Sequence, residues 1–72
     1  MTDRELLNEA ITLSGLKKQF IAEQLGITMQ GFRLKLKGEN EFRETEMQKL
    51  SELLNLNKSM RDRIFFAKKV DN

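Results

Sequence analysis

The sequence predicts an all-α fold made of five short helices in a single domain. Apolar residues recur at intervals of three and four residues along the chain, which is the spacing of one helix face. Glycine or asparagine stands at the end of most of these segments, and both residues tolerate the left-handed conformation that commonly ends a helix. The length of 72 residues leaves room for one domain, residues 1–72.

The first two helices are predicted in residues 2–26. Thr2 followed by Glu5 is a capping-box signature, and it precedes a broad apolar stripe that consists of Leu6, Leu7, Ala10, Ile11 and Leu13. We expect this first helix to end near Ser14, with Gly15 as its terminator. The second helix is marked by Ile21, Ala22 and Leu25 and by Gly26 at its end. It lacks a capping side chain, because Lys17 stands where a small hydroxyl or amide residue would be expected.

The third helix starts directly after the second. Thr28 is a competent N-cap, Phe32 and Leu36 form a buried stripe four residues apart, and Gly38 ends the helix. Gly31 is unusual inside a helix, where it costs about 1 kcal/mol relative to alanine. It either allows a close backbone approach or is merely tolerated.

Two further helices complete the pattern. Phe42 anchors the loop before the fourth helix, whose face is formed by Met47, Leu50 and Leu54 and which ends at a left-handed Asn55. Asn57 caps the fifth helix, in which Met60, Ile64 and Ala67 are expected to face inward. Phe65 and Phe66 point to different sides of this helix, so one of them is hard to bury in a monomer. Residues 68–72 are expected to fray.

Composition excludes most catalytic chemistry. The chain has no cysteine and no histidine, so it lacks disulfides, thiolate ligands and the commonest general base. We therefore expect neither an enzyme nor a bound cofactor or metal. The chain also has no apolar run of membrane-spanning length, and it starts with polar residues where a signal peptide would be basic and then apolar. These features predict a cytoplasmic protein without a membrane partner.

Positive charge is concentrated in the middle of the chain and, to a lesser extent, in residues 57–72. The formal net charge is only +2. Residues 17–38, however, carry five basic residues and one acidic residue, while residues 1–16 and 39–56 are net acidic. A local excess of this kind favours a polyanionic partner, although solvated helices of mixed charge are a plainer explanation.

Several of these segments resemble a known family. They are Ile21-Ala22-x-x-Leu25-Gly26-Ile27-Thr28, Phe32…Lys35-Leu36-Lys37-Gly38, Glu41-Phe42 and Ile64-Phe65-Phe66-Ala67. Together they resemble the lambda-repressor and Cro type of helix-turn-helix domain, in the small form found in temperate phages of Gram-positive bacteria. The resemblance implies a five-helix lambda-repressor-like bundle in which helices two and three form the helix-turn-helix. It also implies a transcriptional regulator of a phage genetic switch that reads operator DNA with residues 28–37.

The resemblance assigns roles to individual residues of this sequence. Gln30 and Arg33 are expected to read or flank bases. Phosphate contacts are expected from Lys18, Thr28, Lys35 and Lys37, and apolar contacts from Met29 and Leu34. Dimers are common in such domains, and we expect at most a weak homodimer through Phe65 or Phe66.

An anti-repressor is the competing hypothesis. Phe20 and Leu34 fall outside the buried stripes and are expected to be largely exposed, and Met29 offers no strong hydrogen-bonding group for base reading. Such a set suits a protein-binding surface, which in a modulator of repression would bind the DNA-binding domain of the cognate phage repressor. Alternatively, Met29 leans into the core and Phe20 covers a neighbouring helix. An antitoxin-like or accessory binding module is a third possibility.

Overall fold

The computed structural model describes residues 2–66, and within that range it contains five α-helices and no strand. The helices are α1 (Arg4–Ser14), α2 (Lys18–Leu25), α3 (Met29–Leu36), α4 (Glu44–Leu53) and α5 (Lys58–Phe65). The predicted all-α class and the number of helices are therefore confirmed. Two predictions, an inward-facing Ala67 and a frayed segment 68–72, lie outside the described residues.

Most helix boundaries follow from the predicted local chemistry. Gly15 and Gly26 adopt positive φ angles of 74° and 73° directly after their helices, and Asn55 adopts one of 57° two residues after the end of α4. Thr28 accepts a hydrogen bond from the Gly31 N–H at 3.0 Å, and Asn57 accepts one from the Met60 N–H at 2.7 Å. These side chains satisfy backbone donors that have no partner inside the helix.

The cap of α1 differs from the prediction. Its N-cap is Asp3, whose carboxylate accepts a hydrogen bond from the Leu6 N–H at 3.1 Å, so Thr2 is not the capping residue. Asp3 also links the start of α1 to α5, because its own N–H donates a hydrogen bond to the Ile64 carbonyl at 2.6 Å. A carboxylate at this position additionally complements the positive end of the helix dipole.

Gly31 has a local explanation. A Cβ built on Gly31 would lie 3.2 Å from the Thr28 hydroxyl oxygen, which is closer than this atom pair normally approaches. Glycine therefore lets the Thr28 cap sit tightly against the first turn of α3.

The core is formed by one face of every helix. α2 packs against both α3 and α4, and α1 packs against α5. Phe42, in the loop before α4, joins these layers: its ring meets Phe32 and Phe65 edge-to-face, with centroids 6.3 Å and 5.8 Å apart. Such edge-to-face pairs add to the stabilisation that burial provides.

The apolar stripe of α1 is narrower than predicted. Leu7 and Ile11 are buried, whereas Leu13 is 81% exposed. At ~100° per residue, Leu13 lies about 140° from the direction midway between Leu7 and Ile11, so it points away from the core.

Candidate nucleic-acid interface

The exposed face of α3 is a continuous strip. Phe32 and Leu36 are buried and fix the orientation of the helix. At ~100° per residue, Gln30, Arg33, Leu34 and Lys37 then fall within about 100° of one another on the opposite side. Gln30, Arg33 and Lys37 are exposed and Leu34 is partly exposed. We call these four residues the α3 outer face.

A basic cleft lies beside the α3 outer face. It has a volume of about 310 Å³ and is lined by Asn8 of α1, Lys18 at the start of α2, and Arg33, Leu36 and Lys37 at the end of α3. Three of the five lining residues are cationic, and the three helices bring them together from separate parts of the chain. The cleft can therefore accept an anion of phosphate size and charge.

The start of α2 adds further donors at one edge of this basic cleft. Lys17 is the N-cap residue and makes no side-chain capping hydrogen bond, as the sequence predicted. The first N–H groups of a helix have no acceptor within the helix, and they carry the positive end of its dipole. Beside Lys18, these groups increase the attraction of the cleft for an anion.

Arg4 and Asn8 were not predicted from the sequence. Arg4 donates from its Nη1 to the Lys37 carbonyl at the end of α3, and its Cδ would lie 3.4 Å from a Cβ at Gly38. The contact joins residues 33 positions apart, so no local pattern could have revealed it. The contact therefore places the guanidinium of Arg4 next to the basic cleft.

Lys35 is placed differently from its predicted role. It forms an ion pair with Glu46 of α4, and the two side chains are only 12% and 7% exposed. Its ammonium also lies 6.0 Å from the centroid of the Phe42 ring. Lys35 therefore links α3 to α4 and is not available to a phosphate. Lys35 and Arg33 both lie about 80° from the Phe32/Leu36 stripe, but on opposite flanks. The flank that carries Lys35 faces α4.

Glu46 is the anchor of this link. Its carboxylate accepts hydrogen bonds from the Arg43 N–H at 2.9 Å and from Lys35. Burial alone would raise the pKa of Glu46, but these two hydrogen bonds and the positive charges of Lys35 and Arg43 outweigh it and lower the pKa below its ordinary value. The carboxylate is therefore charged at neutral pH.

The apolar residues near α3 divide into two groups. Met29 is partly buried and packs against the core, because it lies only about 40° from the direction of the Phe32/Leu36 stripe. The alternative in which Met29 leans into the core is thus confirmed, and Met29 is not a free contact residue. Phe20 is exposed, at 42%, as predicted. Leu34 is half-buried and not largely exposed, yet it does not pack against the core cluster.

The two phenylalanines predicted for a dimer contact have different environments. Phe65 is 1% exposed and belongs to the core, where it packs edge-to-face on Phe42. Phe65 is therefore not available for a dimer contact, and a weak dimer through Phe66 stays a prediction. Phe66 is 52% exposed and lines a separate cleft with residues of α4.

Other kinds of site receive no support within residues 2–66. No group of three acidic, histidine or cysteine side chains in that range could hold a metal ion. No helix among the same residues is long and apolar enough to span a membrane. No family model, curated protein or solved structure matches the chain.

Proposed function

We propose that the chain is a DNA-binding transcriptional regulator in which α2 and α3 form a helix-turn-helix and α3 enters the major groove of an operator. The observation that carries this proposal is the basic cleft beside the α3 outer face. A helix that reads base edges needs cations at its flank, because phosphate contacts set its register while base contacts supply specificity. Lys18 and Lys37, which line this cleft, would supply the phosphate contacts.

The α3 outer face also carries side chains that can read bases. Arg33 can donate two hydrogen bonds to a guanine, and Gln30 can pair with an adenine in the same way. Leu34 suits a thymine methyl group. Thr28 uses its hydroxyl oxygen as an acceptor for Gly31, and the hydroxyl hydrogen can still donate to a phosphate. Lys35 and Met29 have no part in this proposal.

Salt-dependent binding tests the proposal. A fluorescence-anisotropy titration would use duplexes selected from a random pool and the DNA that flanks the gene, at salt concentrations from about 50 to about 200 mM. Lys37→Ala should weaken binding about equally for all sequences and lower the salt slope by about one unit. The matched control is Lys49→Ala, an exposed lysine on α4, which should leave the slope unchanged.

Two further variants separate contact from structure. Gln30→Ala should relax base preference with little effect on the salt slope, since it removes no charge. Lys35→Ala should leave the slope unchanged, because its ammonium is paired with Glu46. Absence of binding to every duplex at about 50 mM salt would refute the proposal.

The second candidate function is that of an anti-repressor that binds the DNA-binding domain of a phage repressor. Exposed Phe20, together with a Leu34 that does not pack on the core, favours it. Burial of either side chain at an interface is worth roughly 1.5–3 kcal/mol, or one to two decades in the dissociation constant. Phe20→Glu combined with Leu34→Gln should leave the circular dichroism spectrum unchanged and abolish the heat of binding to the repressor domain.

The control for the second candidate is Gln24→Glu, an exposed polar position on α2. It changes charge without removing apolar surface, so the heat of binding should persist. If the double variant folds and still binds the repressor domain undiminished, this surface is not the partner site.

A further inference from the structure

An apolar groove lies away from the basic cleft and has no role in the proposed function. Its volume is about 360 Å³, and it runs between α1, the end of α4 and the start of α5. Its lining is mainly apolar and includes Leu6, Ala10, Leu13, Leu54, Leu56 and Met60. We call it the α1–α5 groove. It shares no lining residue with the basic cleft.

Leu13 stands at the rim of this groove and is 81% exposed. A single exposed leucine on a surface is ordinary. Here, however, the leucine adjoins a groove in which Leu6, Ala10, Leu56 and Met60 are also partly open to solvent, so the apolar surface is continuous. An exposed leucine and a groove that can receive one therefore lie on the same surface of the molecule.

We propose that the α1–α5 groove is a self-association site, in which Leu13 of each of two copies enters the groove of the other. A two-fold axis makes this arrangement closed, because the same surface supplies the inserted side chain and the receiving groove on both copies. One such contact therefore necessarily generates the second.

Two copies paired in this way would bring opposite charges together at the edges of the groove. Glu9 lines the groove and lies one helical turn before Leu13, so it accompanies Leu13 into the other copy. Asn55 and Leu56, on the opposite side, also line a neighbouring cleft that carries Lys58, Arg61 and Glu52. Arg61 is paired with Asp62, so Lys58 is the cation that this pairing uses. Glu9 on one copy thus meets Lys58 at the start of α5 on the other.

Sedimentation velocity of the full chain, from about 10 μM to about 1 mM, tests the proposal. The wild-type chain should show a sedimentation coefficient that rises with concentration. Leu13→Glu should remove this rise, since loss of one buried leucine weakens association by one to two decades and each dimer buries two. The matched control is Thr12→Glu, an exposed neighbour outside the groove, which should change the dissociation constant less than about threefold. Both variants should keep the wild-type melting temperature.

A charge exchange shows whether the occupant is a second copy. Glu9→Lys and Lys58→Glu should each weaken self-association, because each places like charges opposite each other across the two-fold axis. An equimolar mixture of the two variants should associate, since both contacts then join opposite charges. Only pairing between copies gives this result.

Three results would overturn the proposal. The first is a wild-type chain that stays monomeric at about 1 mM. The second is a dimer that Leu13→Glu and Thr12→Glu affect equally. The third is a monomer in which Leu13→Glu shifts the amide resonances of residues 67–72, which would identify the chain's own terminal segment as the occupant of the groove.

Discussion

Neutralising Glu46 should destabilise the fold and loosen α3 from α4. The carboxylate is held by the Arg43 N–H and by Lys35, and the two side chains of the ion pair are 12% and 7% exposed. Glu46→Gln preserves the shape and keeps an oxygen that can accept from Arg43. The variant therefore removes the charge alone and leaves the Lys35 ammonium in a poorly hydrated position without a counterion.

The size of the effect lies between two limits. Breaking a buried pair by removing one partner costs about 3–5 kcal/mol, whereas exposed pairs contribute about 0–1 kcal/mol. Lys35 can move its ammonium toward water along its flexible stem, so we expect a loss of about 1.5–3 kcal/mol. For a domain of this size the melting temperature should fall by roughly 6–24 °C.

Urea unfolding at pH 7, followed by circular dichroism, measures this loss. A double-mutant cycle with Lys35→Met isolates the pair, because the double variant has no unpaired charge. The double variant should be more stable than the sum of the single effects predicts, with a coupling of at least about 1 kcal/mol. A coupling below about 0.5 kcal/mol, or a Glu46→Gln variant as stable as the wild type, would refute a stabilising role for this link.

The pH dependence gives a second check on the same pair. Because the pKa of Glu46 is lowered in the folded state from its ordinary value of 4.5, folding favours the ionised form. The stabilisation is fully present above the pKa of the unfolded chain and is lost as pH falls through the lowered pKa of the folded state. The stability difference between the wild type and Glu46→Gln should thus be constant near neutral pH and shrink below pH 4.5.

Five further variants test three other parts of the fold by the same unfolding assay. Asp3→Ala should lower the free energy of unfolding by about 1 kcal/mol through loss of the α1 cap, and Thr2→Ala should lower it by less than about 0.5 kcal/mol. A larger loss for Thr2→Ala than for Asp3→Ala would show that Thr2 is the capping residue. Gly26→Ala should cost roughly 1–2 kcal/mol from its positive φ alone, since a Cβ there meets nothing within 4 Å; an unchanged stability would contradict that reasoning. Phe65→Ala should cost about 3–5 kcal/mol, whereas Phe66→Ala should cost less than about 1 kcal/mol; similar losses for both would place Phe66 in the core too.

The helices could be predicted from the sequence because their signals are local. Gly15, Gly26 and Asn55 end helices through backbone conformations that few other residues adopt easily. The cap of α1 was missed because Thr2 and Asp3 are both good N-cap residues. The Asp3 N–H bond to the Ile64 carbonyl joins its position to α5, and this contact is not visible in the sequence.

The candidate site was only partly predictable, because the packing of α3 decides which of its residues are free. Phe32 and Leu36 define the buried direction, and Met29 lies close to it. Its angle of about 40° from that direction, counted at ~100° per residue, is enough to assign Met29 to the core. Lys35 and Arg33 lie on opposite flanks of the same stripe, so the angles separate them. That Glu46 stands opposite Lys35, however, depends on how α4 crosses α3.

Both proposed functions use the α3 outer face, but they depend on different residues of it. A DNA complex is held chiefly by cations, so Lys37→Ala should reduce affinity strongly at low salt and Leu34→Gln only slightly. A protein complex is held chiefly by desolvated apolar groups, so the order of the two effects should reverse. The reversal does not depend on knowing the operator or the partner, because it follows from the chemistry of the two side chains. Measuring both variants against both ligands therefore shows which contact the α3 outer face makes.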